Sequence, residues 1–111
     1  MKNVSGTLEK DVAELKRLLP AEDILTFAFQ TQAGVAFTCV FVDAITDKEL
    51  LGEQVVRPLL HYEGTLDAEN VGKKLTSPEL RQETSFELLA EEILAGNPVV
   101  LWEGADQGII A

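Results

Sequence analysis

Apolar residues at Leu8, Val12, Leu15 and Leu19 fall at i, i+4, i+7 and i+11, one face of a helix, and predict a helix over about Leu8 to Leu19. Thr7 is placed to cap it, Glu9 and Asp11 suit the positive end of its dipole, Lys16 and Arg17 suit the other end, and Pro20 stops it. The period then changes to two. Over about Asp23 to Gln30, Leu25, Phe27 and Phe29 alternate with Ile24, Thr26 and Ala28. Over about Val35 to Asp43, Phe37, Cys39 and Phe41 alternate with Ala36, Thr38, Val40 and Val42. Both faces of the second strand are largely apolar, which predicts a central strand covered on both sides. Thr31-Gln32-Ala33-Gly34 forms the hairpin loop between them, with Gly34 free to take a positive φ.

Helical spacing returns after the second strand. Thr46-Asp47-Lys48-Glu49 has the spacing of a capping box and opens a helix with Leu51, Val55 and Leu59 on one face; Pro58 predicts that it ends or kinks near Arg57. Gly64 begins a looser stretch, with a short helix over Asp67 to Leu75 and a cap at Ser77-Pro78. A last helix runs over about Ser85 to Ala95, with Phe86, Leu89, Ala90 and Ile93 as its stripe, a second capping box at Thr84-Ser85-Phe86-Glu87, and Gly96 and Pro98 ending it. Val99 to Trp102 reads as a third strand, Gly104 to Gln107 as a turn and Gly108 to Ala111 as a fourth strand. The order predicts a single α/β domain of the α+β type: a small mixed sheet of about four strands with packed helices, neighbouring strands pairing antiparallel. Phe37, Phe41, Leu51, Val55, Phe86, Leu89, Ile93 and Val100 form its expected core. The last strand stops while still apolar, as expected of a fragment of a longer protein.

Composition narrows the function classes. The chain has 111 residues, with 9 Lys+Arg against 19 Asp+Glu, a formal net charge of −10. That balance argues against gripping nucleic acid or anionic lipid through their phosphates. The longest apolar run, Val35 to Val42, is broken by Thr38 and is far short of the roughly 20 residues of a membrane helix. The start of the chain carries no secretory h-region, so it reads as soluble. One Cys and one His exclude an internal disulfide, a Cys-based zinc cluster and any two-His motif.

Candidate chemistry is sparse. Cys39 would need a lowered pKa to act as a nucleophile, and in an apolar strand it reads as a buried thiol. His61, near a helix end without a Ser or Cys neighbour, reads as a surface residue. Asp43, Asp47 and Glu49 cluster in sequence and form the candidate site for a hard cation, against a plainer role in helix capping. Glu79, Glu83, Glu87 and Glu91 are spaced by four, the pattern of a solvated face. Trp102 closes the core or a contact rather than stacking on a ligand. No phosphate loop, G-x-G-x-x-G or G-x-S-x-G occurs.

Several segments together resemble a known family. Val40-Phe41-Val42-Asp43, Ala44-Ile45-Thr46-Asp47, Val55-Val56-Arg57-Pro58-Leu59-Leu60 and Glu91-Glu92-Ile93-Leu94-Ala95-Gly96-Asn97-Pro98-Val99-Val100-Leu101-Trp102-Glu103-Gly104 occur in the order and spacing of the N-terminal soluble region of the A subunit of bacterial spore germinant receptors, the GerA family. The resemblance covers Ile24 to Ala111, and an A-like spore paralogue shares the pattern. Asp43-Ala44 and Glu103-Gly104 stand where the family more often has Asp-Gly. The resemblance implies a non-enzymatic domain that contributes to receptor assembly or germinant signal transmission. It implies no catalytic residues, no cofactor and no metal. Its partners would be the B and C receptor subunits and other A subunits, not nucleic acid. The full-length protein would lie in the spore inner membrane, attached through a downstream region, with this domain on the core side. Two other readings stand beside it: a free-standing acidic interaction module, and a small metal-dependent enzyme built around Asp43 and Asp47.

Overall fold

The computed structural model describes residues 3–19, 23–31, 34–43, 45–60 and 81–110. Helix α1 spans Leu8–Leu18, followed by strands β1 (Ile24–Gln30) and β2 (Ala36–Val42). Helix α2 (Lys48–Leu51) continues through a π-helical stretch (Gly52–Val56) into α3 (Arg57–Leu60). Strand β3 (Arg81–Glu83), helix α4 (Phe86–Leu94), β4 (Val99–Trp102) and β5 (Gly108–Ile110) complete the described chain. The expected Asp67–Leu75 helix and the Ser77-Pro78 cap lie outside the described residues.

The five strands form one antiparallel sheet in the order β1-β2-β4-β5-β3. This is one strand more than the sequence predicts. The addition is β3, whose Arg-Gln-Glu sequence has no apolar alternation; it forms because β5 offers an edge that pairs Arg81 with Ile110 and Glu83 with Gly108. Strand β2 is central, with every residue from Phe37 to Val42 buried. Helices α1 and α4 pack on each other and against β2 and β4. They cover the face that carries Leu101, since Leu89 of α4 closes over Gly108 so tightly that a Cβ there would lie 3.0 Å from both its methyl carbons. On the other face a row of rings crosses three strands in register: Phe29 stacks on Phe37 with centroids 5.4 Å apart, and Phe37 on Trp102 at 5.7 Å. All eight expected core residues are buried.

Three local expectations are corrected. Thr7 holds the N-cap position of α1, as expected, but its side chain makes no capping bond. In its place the Leu8 N–H donates to Glu103 Oε2 at 3.0 Å, from the far end of the chain. The capping residue of α2 is Asp47, whose carboxylate accepts from Leu50 N–H at 3.0 Å, while the Thr46 hydroxyl is buried without a hydrogen-bond partner among the described residues. Likewise Ser85, not Thr84, caps α4 by accepting from Leu88 N–H. Each expected box was one residue early, so neither Glu49 nor Glu87 sits where a box would place it. The helix expected to end or kink near Arg57, at Pro58, does not end there, but its hydrogen-bond pattern changes just before the proline. The π-helical turn just before it, with Arg57 N–H donating to Gly52 C=O, shifts the hydrogen-bond register at the point where the proline ring would meet the carbonyl four residues back.

Candidate functional site

Those residues singled out for chemistry that the structure describes each have a structural place. Cys39 sits in the middle of β2 with 0% exposure, and burial pushes its thiol up to about 12. A thiolate is therefore scarce at neutral pH, the opposite of an activated nucleophile. We expect Cys39 in the folded chain to resist a thiol reagent such as DTNB between pH 7 and 9 and to react once urea unfolds the chain. Rapid labelling under native conditions would contradict its place in β2.

The cation candidates do not converge. Asp43 accepts from the Lys48 ammonium, Asp47 is committed to the α2 cap, and Glu49 points to solvent. No group of three or more His, Cys, Asp or Glu that could hold a metal occurs among the described residues. His61 and Glu79 lie outside the described residues. The remaining glutamates do not form one row. Glu83 lies on β3, where its carboxylate accepts from the Thr84 and Ser85 N–H groups at 2.8 and 3.1 Å, while Glu87 and Glu91 are exposed on α4. Trp102 is 1% exposed and belongs to the core.

Two polar constellations were not foreseen. The first stitches the N-terminal segment to the body. Asp11, 2% exposed, accepts from Ser5 N–H at 3.0 Å, Ser5 Oγ–H at 2.7 Å and Gly6 N–H at 3.2 Å. Gly104 N–H donates to Gly6 C=O at 2.8 Å, and Val4 N–H to Thr84 C=O at 2.9 Å. Both glycines take φ near +90°, a conformation costly for residues with a Cβ. The Glu103-Gly104 pair thus has a structural role, in which Glu103 closes the start of α1 and Gly104 makes the turn that reaches it. The second constellation ties β3 to α4. Arg81 donates two bonds to Glu92, at 3.0 and 2.5 Å, and Asn97 Nδ2 donates a third at 2.9 Å. The Arg81 and Asn97 hydrogen bonds hold the Glu92 carboxyl below its usual range.

An exposed apolar surface lies at one edge of the sheet. Strand β1 lies at the edge of the sheet with Leu25 41% and Phe27 47% exposed, although both share a face with the buried Phe41 and Cys39 opposite them. Among the described residues β1 packs mainly against β2, and of its side chains Ile24 and Phe29 reach the core.

Comparison with known proteins agrees with this architecture. The family model for the Bacillus/Clostridium GerA spore germination protein matches residues 13–111. No curated protein matches the chain. Among solved structures, the fold is similar to the N-terminal domain of the A subunit of the Bacillus megaterium spore germinant receptor GerK3, with a TM-score of 0.74 and 15% identity, covering 98% of this chain and 94% of that one.

Proposed function

The chain belongs to the GerA spore germination protein family, and from that premise we propose that it is the first soluble subdomain of a germinant receptor A subunit or of its spore paralogue, acting by contacts rather than by catalysis. The observation that carries this reading is the family match, which spans all but the first twelve residues of the chain. The use of the candidate polar groups supports it: Asp47 caps a helix, Asp43 pairs with Lys48, and Cys39 is sealed in the sheet. In this reading the domain serves receptor assembly or signal transmission with the B and C subunits and other A subunits. No helix among the described residues is long and apolar enough to cross a membrane. Attachment to the spore inner membrane would then come through a downstream region, with this domain on the core side.

The test is an in-frame deletion of residues 1–111 from the full-length subunit in a sporulating host. We expect reduced receptor levels, or normal levels with loss of nutrient-triggered germination. Normal levels together with normal germination would sink the proposal. Calorimetry of the isolated chain against Mg²⁺, Ca²⁺ and Mn²⁺ addresses the non-catalytic part, and micromolar binding lost in the Asp43→Asn/Asp47→Asn variant would favour the metal-dependent reading instead.

A further inference from the structure

The outer edge of β1 is open among the described residues, and its main chain says how it can be filled. At one end of the β1–β2 ladder Asp43 N–H donates to Asp23 C=O at 2.9 Å, and at the other Thr31 N–H donates to Val35 C=O at 3.0 Å. The register is unbroken between them. Alternation in an antiparallel ladder therefore turns the odd-numbered main-chain groups toward β2 and those of Ile24, Thr26, Ala28 and Gln30 outward. Protected edges usually carry a charge, a proline or a bulge. Ile24–Gln30 has none of these, in a chain with a net charge of −10.

We propose that β1 pairs antiparallel with β1 of a second copy of this chain, about a twofold axis through Phe27. Only this register matches all four outward residues of each strand, setting Ile24 opposite Gln30 and Thr26 opposite Ala28 of the other copy, and the reverse. Four hydrogen-bonded pairs exchange two bonds each, so eight bonds form and no outward group of the strand is left over. The side chains are equally self-complementary. Phe27 meets Phe27 of the second copy in the close, non-hydrogen-bonded position, and Leu25 meets Phe29, all on one face. The exposed rings and Leu25 would be covered by an isologous contact that opposes no like charges within the strand. Two five-stranded sheets would become one of ten strands. The strand offers an uncharged approach between two acidic bodies, which favours a second copy over a charged partner segment.

A contact of this size is weak, with an expected Kd of roughly 10–100 μM. Added salt should tighten it, because the two acidic copies repel less when screened. Sedimentation velocity of the 111-residue chain from about 5 to 500 μM should show a monomer–dimer equilibrium. Ala28→Pro removes an outward N–H while leaving the β1–β2 ladder intact, and should weaken the dimer at least about tenfold with an unchanged circular dichroism spectrum. Register is read by disulfide trapping. Phe27→Cys alone should cross-link under mild oxidation. Leu25→Cys alone should not, but mixed with Phe29→Cys chains it should. The native Cys39 is buried and gives no background. A monomer at every concentration without a Phe27→Cys cross-link would overturn the proposal. So would a dimer indifferent to Ala28→Pro, trapping of Leu25→Cys alone, or a chain that stays monomeric yet takes up an added apolar peptide along β1. The inference rests on the β1 edge and is tested in solution, so it stands or falls apart from the receptor role.

Discussion

Trp102→Ala should lower the unfolding free energy by about 3–5 kcal/mol, a large share of the stability of a domain of this size. The indole is 1% exposed, and its cross-strand partner Phe37 is 0% exposed, with the two rings 5.7 Å apart. Removing it loses the transfer energy of a large side chain and leaves a cavity that cannot readily close. The strand on either side of Trp102 is fixed in the ladder: β4 pairs with both β2 and β5. Phe37 is held in turn by Phe29 on its far side, so it cannot swing into the gap without losing its own stacking. Urea melts should show a lower midpoint with an unchanged slope. Phe27→Ala, on the same face of the sheet but 47% exposed, should cost less than about 1 kcal/mol in the monomer and serves as the control. A loss below about 1 kcal/mol for Trp102→Ala would mean that the aromatic row is not the packed feature described.

The sheet was readable because its central strands carry strong local signals. The doubly apolar alternation of Phe37 to Val42 marks a strand covered on both faces, and the structure buries all of those residues. Helix stripes were equally clear, and Leu8–Leu18 and Phe86–Leu94 fall within a residue or so of the periodic segments. What was not readable depends on distant partners or on a one-residue choice. Strand β3 has no apolar alternation and exists through β5. Glu103 caps α1 across 95 positions, a pairing that no local spacing encodes. Asp47 and Ser85 each won the cap over a threonine one place earlier because of where the helical backbone begins. The same limit applies to β1. Its apolar alternation shows a strand, but only the sheet order reveals that Leu25 and Phe27 sit at an edge with nothing beyond them among the described residues.

The carboxylate of Asp11 teaches the converse, because a signal for it was present. Leu8, Asp11, Val12 and Leu15 lie at i, i+3, i+4 and i+7, so Asp11 stands within the apolar stripe, whereas a residue serving only the helix dipole would be free to face water. A charge there must be matched by donors, and the structure supplies three: Ser5 N–H, Ser5 Oγ–H and Gly6 N–H. Asp11→Ala should therefore destabilise the domain by about 1–3 kcal/mol, because it strips two main-chain donors of their acceptor in a part-buried site. Asp11→Asn should recover only part of this loss. Its amide oxygen can still accept the two Ser5 bonds, but its NH₂ would face the Gly6 N–H, donor against donor. The damage should be local at first. Residues 3–7 are held to the body by Asp11, by Val4 N–H on Thr84 and by Gly104 N–H on Gly6. With the first of these gone, amide exchange should quicken at Ser5, Gly6 and Gly104 well before it does in β2. Equal protection of these amides in the variant and the parent would show that Asp11 is a passenger in the stripe and not the clasp of the N-terminal segment.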